Sequence, residues 1–184
     1  MHQSDLIQLV KRCKKHNQIA QIAIYDLFFE AMYNTAFRIV QQQDLAEDIT
    51  QDAFIIAFSK VTSLQEEITF PKWLKQIVVN KSLTHLKQKK RFYPLDVEKL
   101  NSTIDDEYDH EFDTTNIRVQ KIIKTINSLK DNYRILLTLH YIEGYDYEEI
   151  VEITGFTHTN CRTLISRAKS SLRKKLDKCQ TIAI

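Results

Sequence analysis

Side chains able to recognise nucleic acid gather at the start of one predicted helix near the C-terminus. Two helical segments are separated there by Gly155, Phe156 and Thr157, which is the spacing of a helix-turn-helix. Gly155 can adopt the positive φ at which the second helix crosses the first. The N-terminal turn of such a second helix enters the DNA major groove. The residues expected to contact base edges or phosphates are Thr157, His158, Thr159, Asn160, Arg162, Thr163, Arg167 and Lys169.

A second cluster combines basic and aromatic residues. No acid occurs between Pro71 and Leu95, although solvated helix faces usually mix both signs. A positive groove can follow phosphates, and an aromatic face such as that of Trp73 can stack on an unpaired base. Taken alone, a tryptophan such as Trp73 is more often a core residue, so the interpretation depends on the run of basic residues. The cluster contains Lys72, Lys75, Lys81, Lys87, Lys89, Lys90 and Arg91, with Phe70, Phe92 and Tyr93 within or beside it.

A third cluster is acidic. Asp44, Asp48 and Asp52 recur every four residues along a predicted helix, and Glu47 and Gln51 lie beside them. Like charges at this spacing cost on the order of a few tenths of a kcal/mol per pair, so a basic partner would explain them. A solvated face near a helix N-terminus would explain them equally well. We call these five residues the acidic strip.

The remaining candidates for catalysis or metal binding lack suitable spacing. His85, His110 and His140 form no ligand or catalytic pair, and no glycine-rich loop is present to hold a phosphate. The three cysteines are far apart and form no CxxC pair, which argues against a zinc knuckle or a disulfide framework. We therefore expect no enzymatic activity, no metal and no cofactor. Because the N-terminus lacks a signal peptide and no run is long enough for a membrane span, we expect a cytoplasmic protein.

Helices must position these clusters, and the composition predicts an all-α fold. Gly and Pro, at two residues each, are too scarce for the tight turns of a sandwich or barrel. Apolar periodicity predicts one helix traced from Ile24, a second over 45–64, and a third that begins near Thr69 as its N-cap. Two capping boxes are predicted further along, Ser128 with Asp131 and Asp146 with Glu149.

An abrupt change of composition divides the chain into two small helical domains. Between Pro94 and Thr115, eight acidic residues face a single base, Lys99, with few apolar anchors. Such a stretch buries too little surface to fold alone and is typical of a linker. The predicted organisation is an N-terminal extension over 1–20, a helical bundle over 21–93, an acidic linker over 94–115, a helix-turn-helix domain over 116–178 and a tail over 179–184.

Three sequence runs resemble a known family, the extracytoplasmic-function (ECF) RNA polymerase sigma factors, or group IV sigma factors. DLAEDITQDAFIIAF (44–58) and FPKWLKQIVVNKSLTHLKQKKR (70–91) look like region 2 of these proteins. The run LKDNYRILLTLHYIEGYDYEEIVEITGFTHTNCRTLISRAKSSLRKKL (129–176) is similar to region 4. Their order, their spacing and the intervening linker match the family over nearly all of the chain beyond about residue 20. The resemblance implies a non-catalytic factor that binds core polymerase, recognises the −10 and −35 promoter elements and promotes DNA melting.

The resemblance also implies a role for each cluster. The acidic strip would dock on the coiled coil of the polymerase β′ clamp. The loop from Leu64 to Thr69 would capture a base flipped from the non-template strand, although it carries Glu66 and Glu67 close to the expected DNA. The helix from His158 to Lys169 would read the −35 element. The opened −10 element would be held by Lys72, Trp73, Lys75, Gln76, Asn80, Lys81, Thr84, Lys87, Lys89, Lys90 and Arg91.

The implied partners are core RNA polymerase, through its β′ clamp and β flap, promoter DNA and an anti-sigma factor. The acidic linker would pass through polymerase near the path of the nascent RNA, where eight carboxylates suit a positively charged channel.

Other interpretations stay open at the level of sequence. The chain could be a stand-alone helix-turn-helix regulator with 1–92 as a sensor or dimerisation domain, but the basic and aromatic cluster would then have no role. It could be a sigma-like decoy that binds polymerase without starting transcription. The segment after Gly155 could also be an ordinary amphipathic helix of a bundle.

Overall fold

The computed structural model describes residues 3–88 and 117–181, and within these ranges the regular structure is entirely helical. The chain separates into two compact units, one within residues 1–90 and one within residues 91–184. This confirms the predicted all-α fold. The predicted linker over 94–115 lies outside the described residues, as do Lys89, Lys90 and Arg91.

The first unit is a bundle of four helices. They are α1 (Gln3–Cys13), α2 (Gln18–Val40), α3 (Gln43–Lys60) and α4 (Phe70–Gln88). α2, α3 and α4 pack on one another in all three pairings, and α1 packs on α2. The largest side chains of this core are fully buried and come from all three long helices: Ile24, Ile39, Phe54, Phe70, Leu74 and Leu83.

Helix α2 begins earlier than the apolar pattern indicates, because Asn17 caps it. The Asn17 side chain accepts a hydrogen bond from the Ala20 amide at 2.9 Å, which satisfies one of the free amides of the first turn. α1 lies within the range predicted as an N-terminal extension. It buries Leu6, Val10 and Cys13, so these residues contribute to the first unit's core.

The segment between α3 and α4 differs from the sequence-based expectation. α3 ends at Lys60, short of the predicted end at Leu64, and a 3₁₀ turn over Val61–Ser63 follows it. Thr69, predicted as the N-cap of α4, is the last residue of a second 3₁₀ turn, Glu67–Thr69, that leads directly into α4. Its hydroxyl donates to the Glu66 carbonyl at 2.7 Å.

The second unit contains α5 (Ile117–Asn127), α6 (Asp131–Leu137), α7 (Tyr147–Thr154) and α8 (His158–Thr181). α6 continues as a π-helical turn over Thr138–Ile142. α8 packs against α5, α6 and α7. The core is formed by fully buried Ile135, Leu136, Leu137, Leu139, Ile150 and Ile165.

One of the two predicted capping boxes is wrong and the other is confirmed. The Ser128 hydroxyl donates backward to the Thr125 carbonyl at 2.8 Å, and Asp131 accepts from Arg134 at 2.9 Å, so neither residue caps α6 in the predicted way. At α7, Asp146 accepts from the Glu149 amide at 2.8 Å and its own amide donates to the Glu149 carboxylate at 3.0 Å.

None of the helices among the described residues is long and apolar enough to cross a membrane.

Candidate nucleic-acid interface

The turn between α7 and α8 has the geometry of a helix-turn-helix. Gly155 has a φ of 79°, in the left-handed region that glycine adopts without steric cost, and its amide donates to the Val151 carbonyl. Thr157 accepts a hydrogen bond from the Asn160 amide at 3.2 Å and thereby caps α8. Phe156 and Cys161 are buried on either side of the turn. The predicted glycine turn is therefore present, and Thr157 caps the helix that follows it.

The polar residues predicted on α8, called the recognition row below, are spread over the solvent-facing side of the helix. Arg162 and Thr163 lie in its first two turns, while Leu164 and Ile165 face the core. Thr163 uses its hydroxyl proton on the Thr159 carbonyl at 2.8 Å, so its oxygen is left to accept. The exposed members are Thr157, His158, Thr159, Arg162, Thr163 and Arg167, and the half-buried members are Asn160 and Lys169.

Two tyrosines that sequence reasoning did not single out lie against the cations of this row. The Arg162 guanidinium lies 5.9 Å from the centre of the Tyr147 ring, and the Lys169 ammonium lies 5.7 Å from that of Tyr141. A hydrogen bond with Tyr141 is the main cause that raises the pKa of Lys169. Contacts of this kind hold long flexible cations in place. The signal available in the sequence was their placement, since Tyr141 and Tyr147 lie three residues before and three residues after Gly144.

On α4, the described residues of the set predicted to hold the −10 element are all at least partly accessible. Trp73 is half-buried, with its ring centre 5.9 Å from that of the fully buried Phe70. One part of the indole is therefore anchored on the core while another part faces solvent. The exposed members are Lys72, Asn80, Thr84 and Lys87, and the half-buried ones are Trp73, Lys75, Gln76 and Lys81.

The acidic strip occupies the exposed face of α3, where all five of its residues are solvent-accessible. Gln51 donates to the Glu47 carboxylate at 3.1 Å. Asp52 accepts from the Lys81 ammonium at 2.9 Å, which joins the strip to α4. Because Asp52 is 58 % exposed and Lys81 31 %, the pair contributes at most about 1 kcal/mol and exchanges readily for other partners.

An aromatic column along α2 lies beside the acidic strip. Tyr25, Phe29, Tyr33 and Phe37 are spaced four residues apart, and their successive ring centres are 5.0, 6.2 and 6.1 Å apart. Tyr25 also contacts Phe54 of α3 at 4.8 Å. Burial is the main cause that raises the pKa of both Tyr25 and Tyr33, and the negative charge of Glu47 is the second cause. The negative charge of α3 therefore acts on the tyrosines of α2.

The loop from Leu64 to Thr69 is well anchored at its ends. The Leu64 side chain is buried and its amide donates to the Val61 carbonyl, and at the other end Phe70 is fully buried. Glu66 is exposed, whereas Glu67 is only partly so.

Within the part of the chain that the structure describes, no group of three or more His, Cys, Asp or Glu side chains is arranged to hold a metal ion.

Family models match both units. The model described as Sigma-70 region 2 matches residues 24–92, and that described as Sigma-70, region 4 matches residues 119–172. The chain is 29% identical over 180 residues to the "ECF RNA polymerase sigma factor SigW" of Bacillus subtilis, covering 91% of this chain and 94% of that protein.

Solved structures share the fold. The sigma factor RpoE of Bartonella quintana, in a complex with the anti-sigma factor NepR, is similar with a TM-score of 0.55 and 21% identity, covering 84% of this chain and 95% of that one. CnrH, in a complex with the cytosolic domain of CnrY, gives a TM-score of 0.57 and 18% identity, covering 94% and 97%. The two Sigma-70 regions, matched in this order over most of the chain, together with the ECF relative aligned over nearly the whole of both chains, show that it belongs to the ECF family of RNA polymerase sigma factors.

Proposed function

We propose that this sigma factor binds core RNA polymerase, recognises a −35 element through α8 and a −10 element through α4, and promotes local melting of the promoter. The observation that carries the proposal is the pairing, in one chain, of a helix-turn-helix with a separate basic and aromatic helix. A stand-alone regulator would need only the first. The protein would act by binding, in the cytoplasm, and would catalyse no reaction.

At the −35 element, the recognition row on α8 would enter the major groove. Arg162 lies near the start of the helix, where the side chains of a recognition helix reach base edges. Its planar guanidinium can donate two hydrogen bonds to one guanine. Arg167 and Lys169 lie further along and are better placed for phosphates. The rest of the proposed set is Thr157, His158, Thr159, Asn160 and Thr163.

At the −10 element, α4 would hold a single strand rather than a duplex. Its basic residues would follow the phosphates, and Trp73, half-buried against Phe70, would offer a fixed ring face on which an unpaired base can stack. Lys81 can exchange Asp52 for a phosphate at little cost, because their ion pair is exposed. Lys89, Lys90 and Arg91 continue this basic sequence beyond the described residues.

The acidic strip would bind a basic surface of polymerase, the β′ clamp coiled coil. Its five side chains are exposed together on one helix face, and the aromatic column beside them fixes the position of α3 on α2. Opposite charges steer such an encounter and fix its register.

An anti-sigma factor is the further partner proposed. The support is that both structures similar to this chain hold a partner protein, named as an anti-sigma factor in the case of RpoE. A partner of this class would compete with polymerase for the sigma factor.

In vitro transcription with purified core polymerase and a fragmented genomic library tests the proposed function. Sequencing of the RNA 5′ ends is expected to give discrete starts that share two upstream elements about one and a half to two helical turns apart, in keeping with two separate DNA-binding units. Absence of starts despite a stable complex with core would indicate a decoy. Absence of any complex with core would refute the sigma assignment.

A further inference from the structure

The loop from Leu64 to Thr69 is held by a residue from a distant part of the chain. Lys14 follows α1, and its ammonium donates to the Leu64 carbonyl at 2.6 Å and to the Glu67 carboxylate at 2.9 Å. The two bonds join positions 50 and 53 residues apart. One side chain therefore ties both the first residue of the loop and its central acid to the N-terminal helix.

We propose that Lys14 is a positioning residue that holds the loop 64–69 in the conformation that receives the flipped base of the −10 element. The inference rests on the proposed function and on the role that the family resemblance implies for this loop, the capture of a flipped base. Lys14 would act through the loop and would not contact the DNA itself.

The bond to Leu64 constrains the loop backbone. The Leu64 side chain is buried, and its carbonyl oxygen accepts the Lys14 ammonium. A charged donor to a backbone carbonyl makes a stronger hydrogen bond than a neutral one. With Phe70 fixed in the core at the other end, the loop is held on both sides. A pocket for a flipped base needs such preorganisation, because disorder in the free loop would weaken binding.

The ion pair with Lys14 compensates the negative charge of Glu67, which would otherwise oppose DNA. The sequence places Glu66 and Glu67 in a loop expected to meet the non-template strand, where carboxylates repel phosphates. The Lys14–Glu67 ion pair is partly shielded, since each side chain is only 21% exposed. The hydrogen bond from Lys14 is the main cause that lowers the pKa of Glu67, with a smaller contribution from Lys11. The loop thus presents one exposed acid, Glu66, instead of two.

The position of Lys14 is itself fixed by the end of α1. Val10 and Cys13 are fully buried beneath it, and the Lys14 amide donates to the Val10 carbonyl at 3.0 Å. Lys15, the next residue, is exposed and carries the same charge. It therefore provides a matched control.

The experiment compares the full-length wild type with Lys14→Met, Lys14→Arg and Lys15→Met, each assembled with core polymerase. Each holoenzyme is bound to promoter fragments that are already opened across the −10 element and that carry each of the four bases, in turn, at every position of that element. The flipped base is the position at which wild-type affinity depends most strongly on the base. The quantity compared is the ratio of affinities for the best and worst base there, measured beside the affinity for core.

Lys14→Met loses both hydrogen bonds from the charged donor, and because these act on the base only through the loop, we expect the ratio to fall by about tenfold while affinity for core is unchanged. Lys14→Arg should retain most of the ratio, and Lys15→Met all of it. If the Lys14→Met holoenzyme had the same affinity ratio as the wild type, the inference would be overturned. This would hold even if the variant unfolded at a lower temperature, because Lys14 would then stabilise the fold without affecting base recognition.

Two further outcomes are separated by the same design. If Lys14→Met does not fold, Glu67→Leu decides: it removes the acceptor at position 67 and leaves the Leu64 bond in place, so a partial fall in the ratio supports the inference whereas an unchanged ratio overturns it. If the wild type itself shows no base preference anywhere in the opened element, the proposed function fails and the inference fails with it.

Discussion

At the scale of single residues, the candidate DNA-binding cations have partners that restrict them before DNA arrives. Arg162 and Lys169 lie against tyrosine rings, and Lys81 pairs with Asp52. Long side chains lose rotamer freedom when they are fixed in a complex, so a cation that is already restricted loses less. The aromatic partners lie outside the recognition helix, which is why a search for DNA-binding residues by charge and polarity alone passes over them.

Replacement of Arg162 by Ala tests the assignment of the −35 reader. We expect initiation from promoters that depend on the −35 element to weaken by about 1–3 kcal/mol in apparent affinity, and discrimination at one base pair to be lost. The measurement is run-off transcription over a set of promoters with single changes in the −35 element. Arg173→Ala, an exposed cation further along α8, is the control. Equal loss on every promoter would instead make Arg162 a phosphate contact.

Tyr145 gives the second unit a dependence on alkaline pH. Its side chain is buried, and burial, with smaller effects of Glu143 and Glu149, raises its pKa to about 12 from 10.0. The folded state thus favours the neutral phenol. The associated stability is fully present below pH 10 and is lost as pH rises from about 10 to about 12, by up to about 2 kcal/mol.

Tyr145→Phe is expected to remove this part of the pH dependence. Urea unfolding of both proteins, followed between pH 9 and pH 12, should show the wild type losing stability more steeply than the variant over this range. Since other groups also titrate there, the difference between the two curves is the quantity that counts. Parallel curves would contradict the assignment.

At the scale of elements, the sequence predicted those features whose partners are close along the chain. The capping box at α7 joins residues three apart, and the turn at Gly155 depends on that one residue. The Ser128–Asp131 pattern is equally local, but there the Ser128 hydroxyl donates to the preceding Thr125 carbonyl. The sequence pattern does not determine whether a serine bonds to this preceding carbonyl or to a following amide. Sequence position also gave no sign of Lys14, because its partners lie 50 or more residues away and are brought to it only by the packing of α1.

The acidic strip on α3 is the element whose role in polymerase binding is most directly testable. Asp48→Lys places a positive charge in the middle of the strip and should lower affinity for core polymerase about tenfold or more, because like charges across an interface are strongly unfavourable. Affinity is measured by titration of labelled sigma factor with core at two salt concentrations. Asp5→Lys, an equal charge change at the exposed start of α1, is the control, and an equal loss in both variants would argue against a localised contact.

At the scale of the whole molecule, each unit has its own core and its own proposed DNA-binding surface. α4 presents a surface suited to single strands, whereas α8 presents one suited to the major groove of a duplex. Two such small units bind weakly one at a time, but their binding becomes strong when polymerase holds both at once, because the second contact is then effectively intramolecular. This explains why a sigma factor would need polymerase to select a promoter.

The spacing between the two promoter elements should therefore matter as much as their sequences. Insertion of five base pairs, about half a helical turn, between otherwise unchanged −35 and −10 elements turns one element to the opposite face of the DNA. α4 and α8 can then no longer engage both elements within one holoenzyme, and we expect initiation to fall about a hundredfold, the size of a lost avidity term. The measurement is transcript yield at matched holoenzyme concentration, beside a promoter whose −35 element is scrambled at the original spacing. Both promoters should fall to the same level, because each removes simultaneous engagement. If the promoter with the lengthened spacer retained full activity, one unit alone would select the promoter. The assignment of the −10 element to α4 and of the −35 element to α8 would then be wrong.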